Sequence, residues 1–364
     1  PIIVRTLPGL TEIAQGKVKI DDLLQVSIKD LLGRKSVEPN ESLLGKNITD
    51  KTVVVTGAGG SIGSELCRQI VLLKPKALIL FEINELALYA IEKELSNINT
   101  HYSFKIYPIL GNVNNKNRLK NLFNKFDVDT IYHAAAYKHV PMVEMNIVSG
   151  VYNNVVGTYN IAKLADKLHV ESMVLISTDK AVRPTNVMGA SKRLSEFILQ
   201  AFADQNSETC FSMVRFGNVI DSAGSVVPLF RKQIKEGGPV TVTHRNITRY
   251  FMSIPEAVQL VLQSGSMAKG GDVFVLDMGD PIKILDLAYR MIHLSGLKPI
   301  DNNNPDGDIK IKFTGLRPGE KLYEELLIGD DVIQSKHPRI MQAREEKLSL
   351  EDVVGFIDMI KKSR

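Results

Sequence analysis

A chain of 364 residues, 44% hydrophobic and 24% charged, has ordinary globular composition and is long enough for one large or two coupled lobes. Its formal net charge of +4 comes from scattered residues, 45 Lys and Arg against 41 Asp and Glu, without the basic stripe that a nucleic-acid surface needs. The distant cysteines Cys67 and Cys210 and the unclustered histidines exclude a disulfide framework and give no metal-site spacing, so a reducing compartment and no metal are expected. No run approaches the ~18 apolar residues of a spanning helix.

Residues 1–46 read as an arm that packs on the main domain, with apolar pairs such as Leu23–Leu24 and Leu31–Leu32 between charges. At Thr52 the pattern changes. Val53, Val54 and Val55 form a β-branched run too short for a helix, ending in a glycine cluster. Glu65–Leu73 then places Leu66, Ile70 and Leu73 on one helical face. Further strands are predicted at Ala77–Phe81, Phe104–Leu110, Thr130–His133 and Met173–Ser177, alternating with helices at Glu85–Leu95, Lys116–Phe126 and Val151–Leu168. Such alternation predicts right-handed crossovers and an α/β fold: a doubly wound, Rossmann-type parallel sheet covered on both faces. After about Gly217, a strand at Met213–Phe216 gives way to shorter elements punctuated by Pro228, Pro239, Pro255 and Pro281, with a polar loop at Asp301–Asp308. The chain divides on this reading into an arm (1–46), a dinucleotide-binding domain (47–216), a smaller mixed α/β lobe with some segments returning to the sheet (217–345) and a C-terminal helix (346–364).

The segment Val53-Val-Val-Thr-Gly57-Ala-Gly-Gly60-Ser-Ile-Gly63 sets three glycines at GxxGxxG spacing between strand and helix. Gly57 permits the tight turn, Gly60 lets backbone approach a pyrophosphate, and Gly63 lets the helix pack close. Ser61 and Ile62 open that helix, whose unpaired N–H groups and positive end suit a phosphate. Glu82 ends the next strand roughly 20 residues on, where a carboxylate accepts from a ribose 2′-hydroxyl and repels a 2′-phosphate. NAD is therefore the expected cofactor. Asn112 and Val113 follow the third strand, where an adenine contact is expected. Ala134, Ala135 and Ala136 let a dinucleotide lie close.

The next window reads Ser177-Thr-Asp-Lys180-Ala-Val-Arg-Pro-Thr-Asn-Val-Met188-Gly-Ala-Ser-Lys192. With the glycine motif it resembles the extended short-chain dehydrogenase/reductase superfamily. That superfamily usually carries YxxxK, whose lysine fixes the nicotinamide ribose and lowers the tyrosine pKa. Lys192 keeps the lysine position, but Met188 stands where tyrosine would, and a thioether cannot take a proton. Methionine there, after Ser-Thr-Asp-Lys, resembles the long-form nucleoside-diphosphate-sugar 4,6-dehydratases of bacterial polysaccharide and glycoprotein-glycan synthesis, whose usual substrate is UDP-N-acetylglucosamine. Ala-Ala-Tyr137-Lys-His-Val-Pro-Met-Val-Glu144, Gly-Ser-Val-Val-Pro-Leu-Phe230, Ile-Thr-Arg249-Tyr-Phe-Met and Arg317-Pro-Gly-Glu-Lys-Leu-Tyr-Glu-Glu are all similar to that family. So is Val4-Arg-Thr-Leu-Pro-Gly9, which looks like the link to a membrane-embedded N-terminal region. The resemblance implies a cytoplasmic domain tethered to the inner membrane, without membrane contact of its own.

The implied reaction oxidises C4 of the hexose with NAD, which acidifies the C5 proton; loss of that proton and of the C6 hydroxyl follows, and hydride returns to C6. Asp179 is expected to act as acid for the leaving hydroxyl and Lys180 as base at C5. For that, burial and Lys192 would lower the Lys180 pKa, Asp179 would oppose the shift, and the pair would share one proton. Thr178 is placed to hydrogen-bond the C4 oxygen. Arg249 and Arg317 suit the diphosphate, because guanidinium forks match phosphate oxygens. Asn218 matches a diphosphate-contacting asparagine of the family, Glu320 suits a ribose hydroxyl, and Thr241 and Thr243 lie where uracil is expected. Lys138 and His139 reach the sugar or the cofactor. A homo-oligomer through helices Val151–Leu168 and Lys192–Phe202 is expected. Two rival readings stay open: a UDP-sugar 4-epimerase, and a non-catalytic NAD-binding sensor or scaffold.

Overall fold

The structure is a computed structural model that describes residues 38–98, 104–302, 304–326 and 332–363. Residues 1–37 of the expected arm lie outside the described residues. Its end is fastened to the body: the Asn40 amide donates to Gln263 Oε1 (2.9 Å), Lys46 Nζ to the Ser266 carbonyl (2.9 Å) and Asn47 Nδ2 to the Gly265 carbonyl (3.0 Å).

The first half alternates β1 (Thr52–Thr56), α1 (Ser61–Leu72), β2 (Ala77–Glu82), α2 (Glu85–Ile98), β3 (Lys105–Leu110), α3 (Lys116–Lys125) and β4 (Thr130–His133). It continues through α4 (Gly157–Lys167), β5 (Ser172–Ile176), α5 (Val187–Ala203) and β6 (Cys210–Arg215). The second half adds α6 (Val226–Lys235), α7 (Ile254–Met267), β7 (Asp272–Leu276), α8 (Ile284–Leu294), β8 (Val332–Gln334), β9 (Ile340–Ala343) and α9 (Leu350–Lys362). All nine of these strands form one sheet in the order β8-β9-β7-β6-β5-β4-β1-β2-β3. From β7 to β3 the pairing is parallel; β9 runs antiparallel to β7, and β8 antiparallel to β9.

The valine run of β1 is buried throughout because side chains alternate between two covered faces. Val53 and Val55 join Leu78, Leu80 and Leu66 in one apolar cluster, while Val54 joins Ile79, Phe81 and Ile131 in the other. A third cluster, around Phe230, Ile234, Leu287 and Met291, is the core of the smaller lobe. There Val240–Val242 pairs parallel to Ile309–Phe313, which pairs parallel to Pro299–Ile300.

The expected regular helix Val151–Leu168 is interrupted. Tyr152–Val156 forms a turn of π-helix, a local widening that turns two consecutive asparagines inward. Asn154 accepts from the Tyr137 amide (2.8 Å) and donates to the Tyr137 carbonyl (3.0 Å) and to Ser191 Oγ (2.9 Å). The irregularity thus fixes the loop after β4 against α5.

Helix α9 lies against α5 and the π-turn, with Val353 and Ile357 buried in the same cluster as Tyr159, Ala162 and Phe202. The helical face expected to pair with a second copy is therefore covered in part by this chain's own last helix. No described helix is long and apolar enough to cross a membrane.

Candidate active site

The glycine turn follows β1. Gly57 has φ +69°, and a Cβ there would stand 2.8 Å from the Ala135 backbone nitrogen. A Cβ on Gly63 would stand 1.9 Å from the Gly57 carbonyl oxygen, so only glycine lets α1 start so close to the strand. Gly60 is different: its Cβ would meet nothing nearer than that oxygen, at 3.3 Å. Gly59, which sequence reasoning passed over, is confined by Ala87, whose Cβ would be 2.5 Å from a Cβ added there.

Glu82 closes this turn from β2. Its Oε2 accepts from the Gly59 amide (2.9 Å), and its Oε1 accepts from the amides of Ile83 (2.8 Å) and Asn84 (2.9 Å). Three N–H donors fix the carboxylate's orientation at the cleft wall it shares with Asn112, Val113 and the Ala134–Ala136 run. Asn112 Oδ1 accepts from the Asn114 amide (2.8 Å), which leaves its side-chain amide group free to donate. Val113 is buried beneath Gly157, where a Cβ would stand 2.6 Å from Val113 Cγ2.

A second cavity, of about 660 Å³, continues from Gly60, Ser61 and Ile62 to Thr178, Met188 and Lys192. Met188 and Lys192 share one face of α5 at i,i+4 spacing, and both are buried. Burial lowers the Lys192 pKa to about 8, with Glu196 opposing. Asp179 opens a 3₁₀ turn (Asp179–Ala181) after β5 and is fully buried. Its Oδ1 accepts from Thr178 Oγ1 (2.9 Å) and Lys180 Nζ (2.9 Å), while its Oδ2 has no protein partner.

Lys180 departs from expectation. Burial pulls its pKa down, but the carboxylates of Asp179 and Glu324 outweigh burial and Arg249, so the pKa is raised. Its ammonium donates to Asp179 and to Asn218 Oδ1 (3.2 Å), and lies 3.5 Å from Glu324 Oε1. The expected lowering fails because Asp179, joined by Glu324 from distant chain, outweighs burial, and the cation that opposes them is Arg249 rather than the expected Lys192.

Sequence reasoning also missed the support beneath this segment. Ser177 Oγ donates to Glu196 Oε1 (2.6 Å), and Glu196 receives Arg215 through Nε (2.8 Å) and Nη2 (2.6 Å). Arg193 bonds Glu196 (3.0 Å) and Glu345 (2.8 Å), and Arg215 also bonds Glu345. Two arginines and two glutamates thereby close a ring joining α5, β6 and the chain after β9.

Lys138, His139, Asn218, Thr241, Thr243, Arg249, Arg317 and Glu320 line one cleft with Lys180. Arg249 is buried and donates through Nη1 to the Thr248 carbonyl (2.7 Å) and through Nη2 to Glu320 Oε1 (3.3 Å). Thr243 Oγ1 donates to the same Glu320 oxygen (3.3 Å), and Thr241 Oγ1 accepts from Gln233 Nε2 (2.8 Å). Burial lowers the pKa of both Lys138 and His139, with Lys138 adding to the effect on His139.

A parallel sheet of order 3-2-1-4-5-6-7 carrying this glycine turn is the Rossmann-type fold of the extended short-chain dehydrogenase/reductase superfamily. The chain belongs to the polysaccharide biosynthesis protein family, whose pattern matches residues 53–345. It is 49% identical over 333 residues to the capsular polysaccharide biosynthesis protein CapD of Staphylococcus aureus, covering 92% of this chain and 54% of that one. The chain thus spans about half the length of that relative. A UDP-glucose 4-epimerase of Rickettsia canadensis is 35% identical over 79% of this chain and 80% of its own. Among solved structures, Pen from Bacillus thuringiensis is similar at 32% identity with a TM-score of 0.73, over 85% of this chain and 99% of that chain. DesIV of Streptomyces venezuelae, a dTDP-glucose 4,6-dehydratase solved with NAD, shares the fold at 18% identity and a TM-score of 0.64, over 85% of this chain and 96% of that chain.

Proposed function

We propose that this chain carries out NAD-dependent 4,6-dehydration of a nucleoside-diphosphate sugar, with UDP-N-acetylglucosamine as substrate and the UDP-4-keto-6-deoxy sugar as product, for surface polysaccharide or glycan synthesis. The observation that carries this reading is the Asp179–Lys180 pair, hydrogen-bonded at 2.9 Å, whose lysine lines both the glycine-lined groove and the arginine-lined cleft while the carboxylate is buried behind it, at a site where Met188 replaces a proton-carrying tyrosine. A dinucleotide fits the groove. Gly60 leaves its backbone open to a pyrophosphate, Glu82 presents a fixed carboxylate to a ribose diol, and the side-chain amide of Asn112 faces the same cleft. NAD held there supplies a reversible two-electron acceptor for the sugar.

The chain's own residues handle the protons. In the resting site Lys180 holds one, and Asp179 receives it across their hydrogen bond, leaving a neutral amine beside a neutral acid. The amine takes the C5 proton once C4 is a ketone, and Asp179 protonates the C6 hydroxyl as it leaves as water. Lys180 then returns its proton to C5, and the proton that the C4 hydroxyl gives up on oxidation, passed through Thr178 to the pair, replaces the one Asp179 spent on the leaving water. Thr178 donates to Asp179 Oδ1, which leaves the buried Oδ2 without a protein partner and free to carry the acid proton. Lys192 anchors the nicotinamide ribose, Asn218 and Arg317 contact the diphosphate with Arg249, Glu320 takes a ribose hydroxyl, and Thr241 and Thr243 border the uracil.

The Rickettsia relative favours a second reading, 4-epimerisation, which oxidises C4 and needs no acid–base pair at C5 and C6. Incubation with UDP-N-acetylglucosamine and mass spectrometry separates them. Loss of one water supports dehydration, unchanged mass with a new stereoisomer supports epimerisation, and unaltered sugar refutes both.

A further inference from the structure

We propose that Glu324 is a positioning residue for Lys180, holding the amine from a second segment of chain and tying it to the arginine that faces the nucleotide. Only 3% of the Glu324 side chain is exposed. Its Oε1 lies 3.5 Å from Lys180 Nζ and 3.8 Å from Arg249 Nε, so one carboxylate oxygen bridges the two cations. Its Oε2 is buried without a hydrogen-bond partner. Burying a carboxylate this deeply with one oxygen unsatisfied is unfavourable for folding alone, which argues that the group is kept for its charge. The residue lines the same cleft as Lys180, Asn218 and Arg317.

The role follows from what Lys180 has to do. Its amine must point at one carbon, yet a lysine stem has four rotatable bonds. Asp179, the adjacent residue, grips the amine from one segment, and Glu324 supplies an acceptor on the segment after Ile309–Phe313. The charged groups acting on the amine are Asp179 on its own turn, Glu324 on that segment and Arg249 from the strand Thr248–Arg249. Two carboxylates against one guanidinium favour the charged amine, so the pair keeps its shared proton to higher pH. Glu324 also stabilises the ammonium that re-forms when Lys180 takes the C5 proton.

The inference rests on the dehydratase reading for its reaction but not for its electrostatics. Removing a negative charge beside an ammonium lowers the pH at which the ammonium deprotonates. In Glu324→Gln the alkaline limb of the kcat-against-pH profile is therefore expected to move down by about 1–3 units, the usual effect of a charge within 4–6 Å. Glu324→Asp, which keeps the charge and loses reach, retains the wild-type limb with a lower kcat. Glu320→Gln, which touches Arg249 and not Lys180, raises KM for the nucleotide sugar and leaves the limb in place.

A second measurement needs no turnover. Labelling of Lys180 by an amine-selective reagent, read by peptide mass spectrometry across pH, should show the same downward displacement in Glu324→Gln. If wild type loses no water from the sugar, the functional reading fails while the labelling still decides this one. If labelling and alkaline limb of Glu324→Gln both coincide with wild type, or if Glu324→Asp shifts as far as Gln, Glu324 does not govern the amine.

Discussion

Replacing Glu196 with alanine tests whether the buried ring supports the catalytic segment. Glu196 and Arg215 are both fully buried, and Arg215 donates two hydrogen bonds to that carboxylate. Breaking a buried ion pair by removing one partner costs about 3–5 kcal/mol, because the other charge stays in a low dielectric. Arg215 and Arg193 both keep Glu345, which places the expected loss near the lower end, about 3 kcal/mol. For a chain of this size, at an unfolding entropy of about 2.1 cal/mol/K per residue, that is a fall in thermal midpoint of about 4 °C. Burial raises the Glu196 pKa, but Arg215, Arg193 and Ser177 outweigh it, so its net pKa is lowered. Its stabilisation is therefore present above the ordinary glutamate value and is lost as pH falls through the lower folded-state value. The gap between wild type and Glu196→Ala should be full at pH 7 and shrink in acid. Glu196→Leu combined with Arg215→Met should regain most of the loss, since an apolar pair leaves no stranded charge. Calorimetry at neutral pH checks both; a midpoint for Glu196→Ala within about 1 °C of wild type refutes the reasoning.

Gly63→Ala should weaken NAD binding and lower the thermal midpoint, because its Cβ would stand 1.9 Å from the Gly57 oxygen; titration calorimetry with NAD would read wild-type affinity if the turn were slack. Lys180→Ala should nearly abolish water loss while sparing NAD retention, and normal turnover in the mass-spectrometric assay discards its role as base. Wild type, with Met188, should dehydrate the sugar without Met188→Tyr; activity confined to that variant would mark a degenerate enzyme. His133 supplies a pH test. Burial, helped by Lys192, lowers its pKa to about 3, and its ring nitrogens lie 2.6 Å from Thr56 Oγ1 and 3.0 Å from Thr158 Oγ1. The unfolded chain takes up this proton first, so stability should fall by about 1.4 kcal/mol per pH unit from below 6.5 towards 3 on this group's account. Denaturant titrations of His133→Gln should show a shallower acid slope by that amount; an unchanged slope removes His133 as its source.

Local patterns were legible where one short segment holds the whole cause. The valines of β1, the glycines after it and Glu82 at the end of β2 lie in one strand–turn–helix–strand stretch of chain, and their positions could be read directly. The site residues named for the nucleotide sugar come to one cleft with Lys180, although single arginines and threonines carry no sign of what they face. What escaped depends on distant chain. Glu324 lies 144 positions after Lys180, inside a motif whose outline was visible but whose second carboxylate had no partner on paper. That contact adds to Asp179 in raising the Lys180 pKa against burial, opposite to the expected direction. The ring of Arg193, Glu196, Arg215 and Glu345 escaped for the same reason. The π-turn at Tyr152–Val156 was hidden because its apolar spacing continues that of an ordinary helix. Strands β8 and β9 are three and four residues long and are joined without a crossover helix, so they lack the alternation with helices that marked the equally short β4.

Helix α9 has a consequence for assembly. Val353 and Ile357 share an apolar cluster with Tyr159 and Phe202, so part of the flank that α4 and α5 would offer to a second copy is covered by the tail. A second copy could reach that covered part only by displacing the tail and wetting those aromatic rings. Trimming the chain before Leu350 would uncover the same surface, turning a tail deletion into a change of stickiness rather than a neutral shortening.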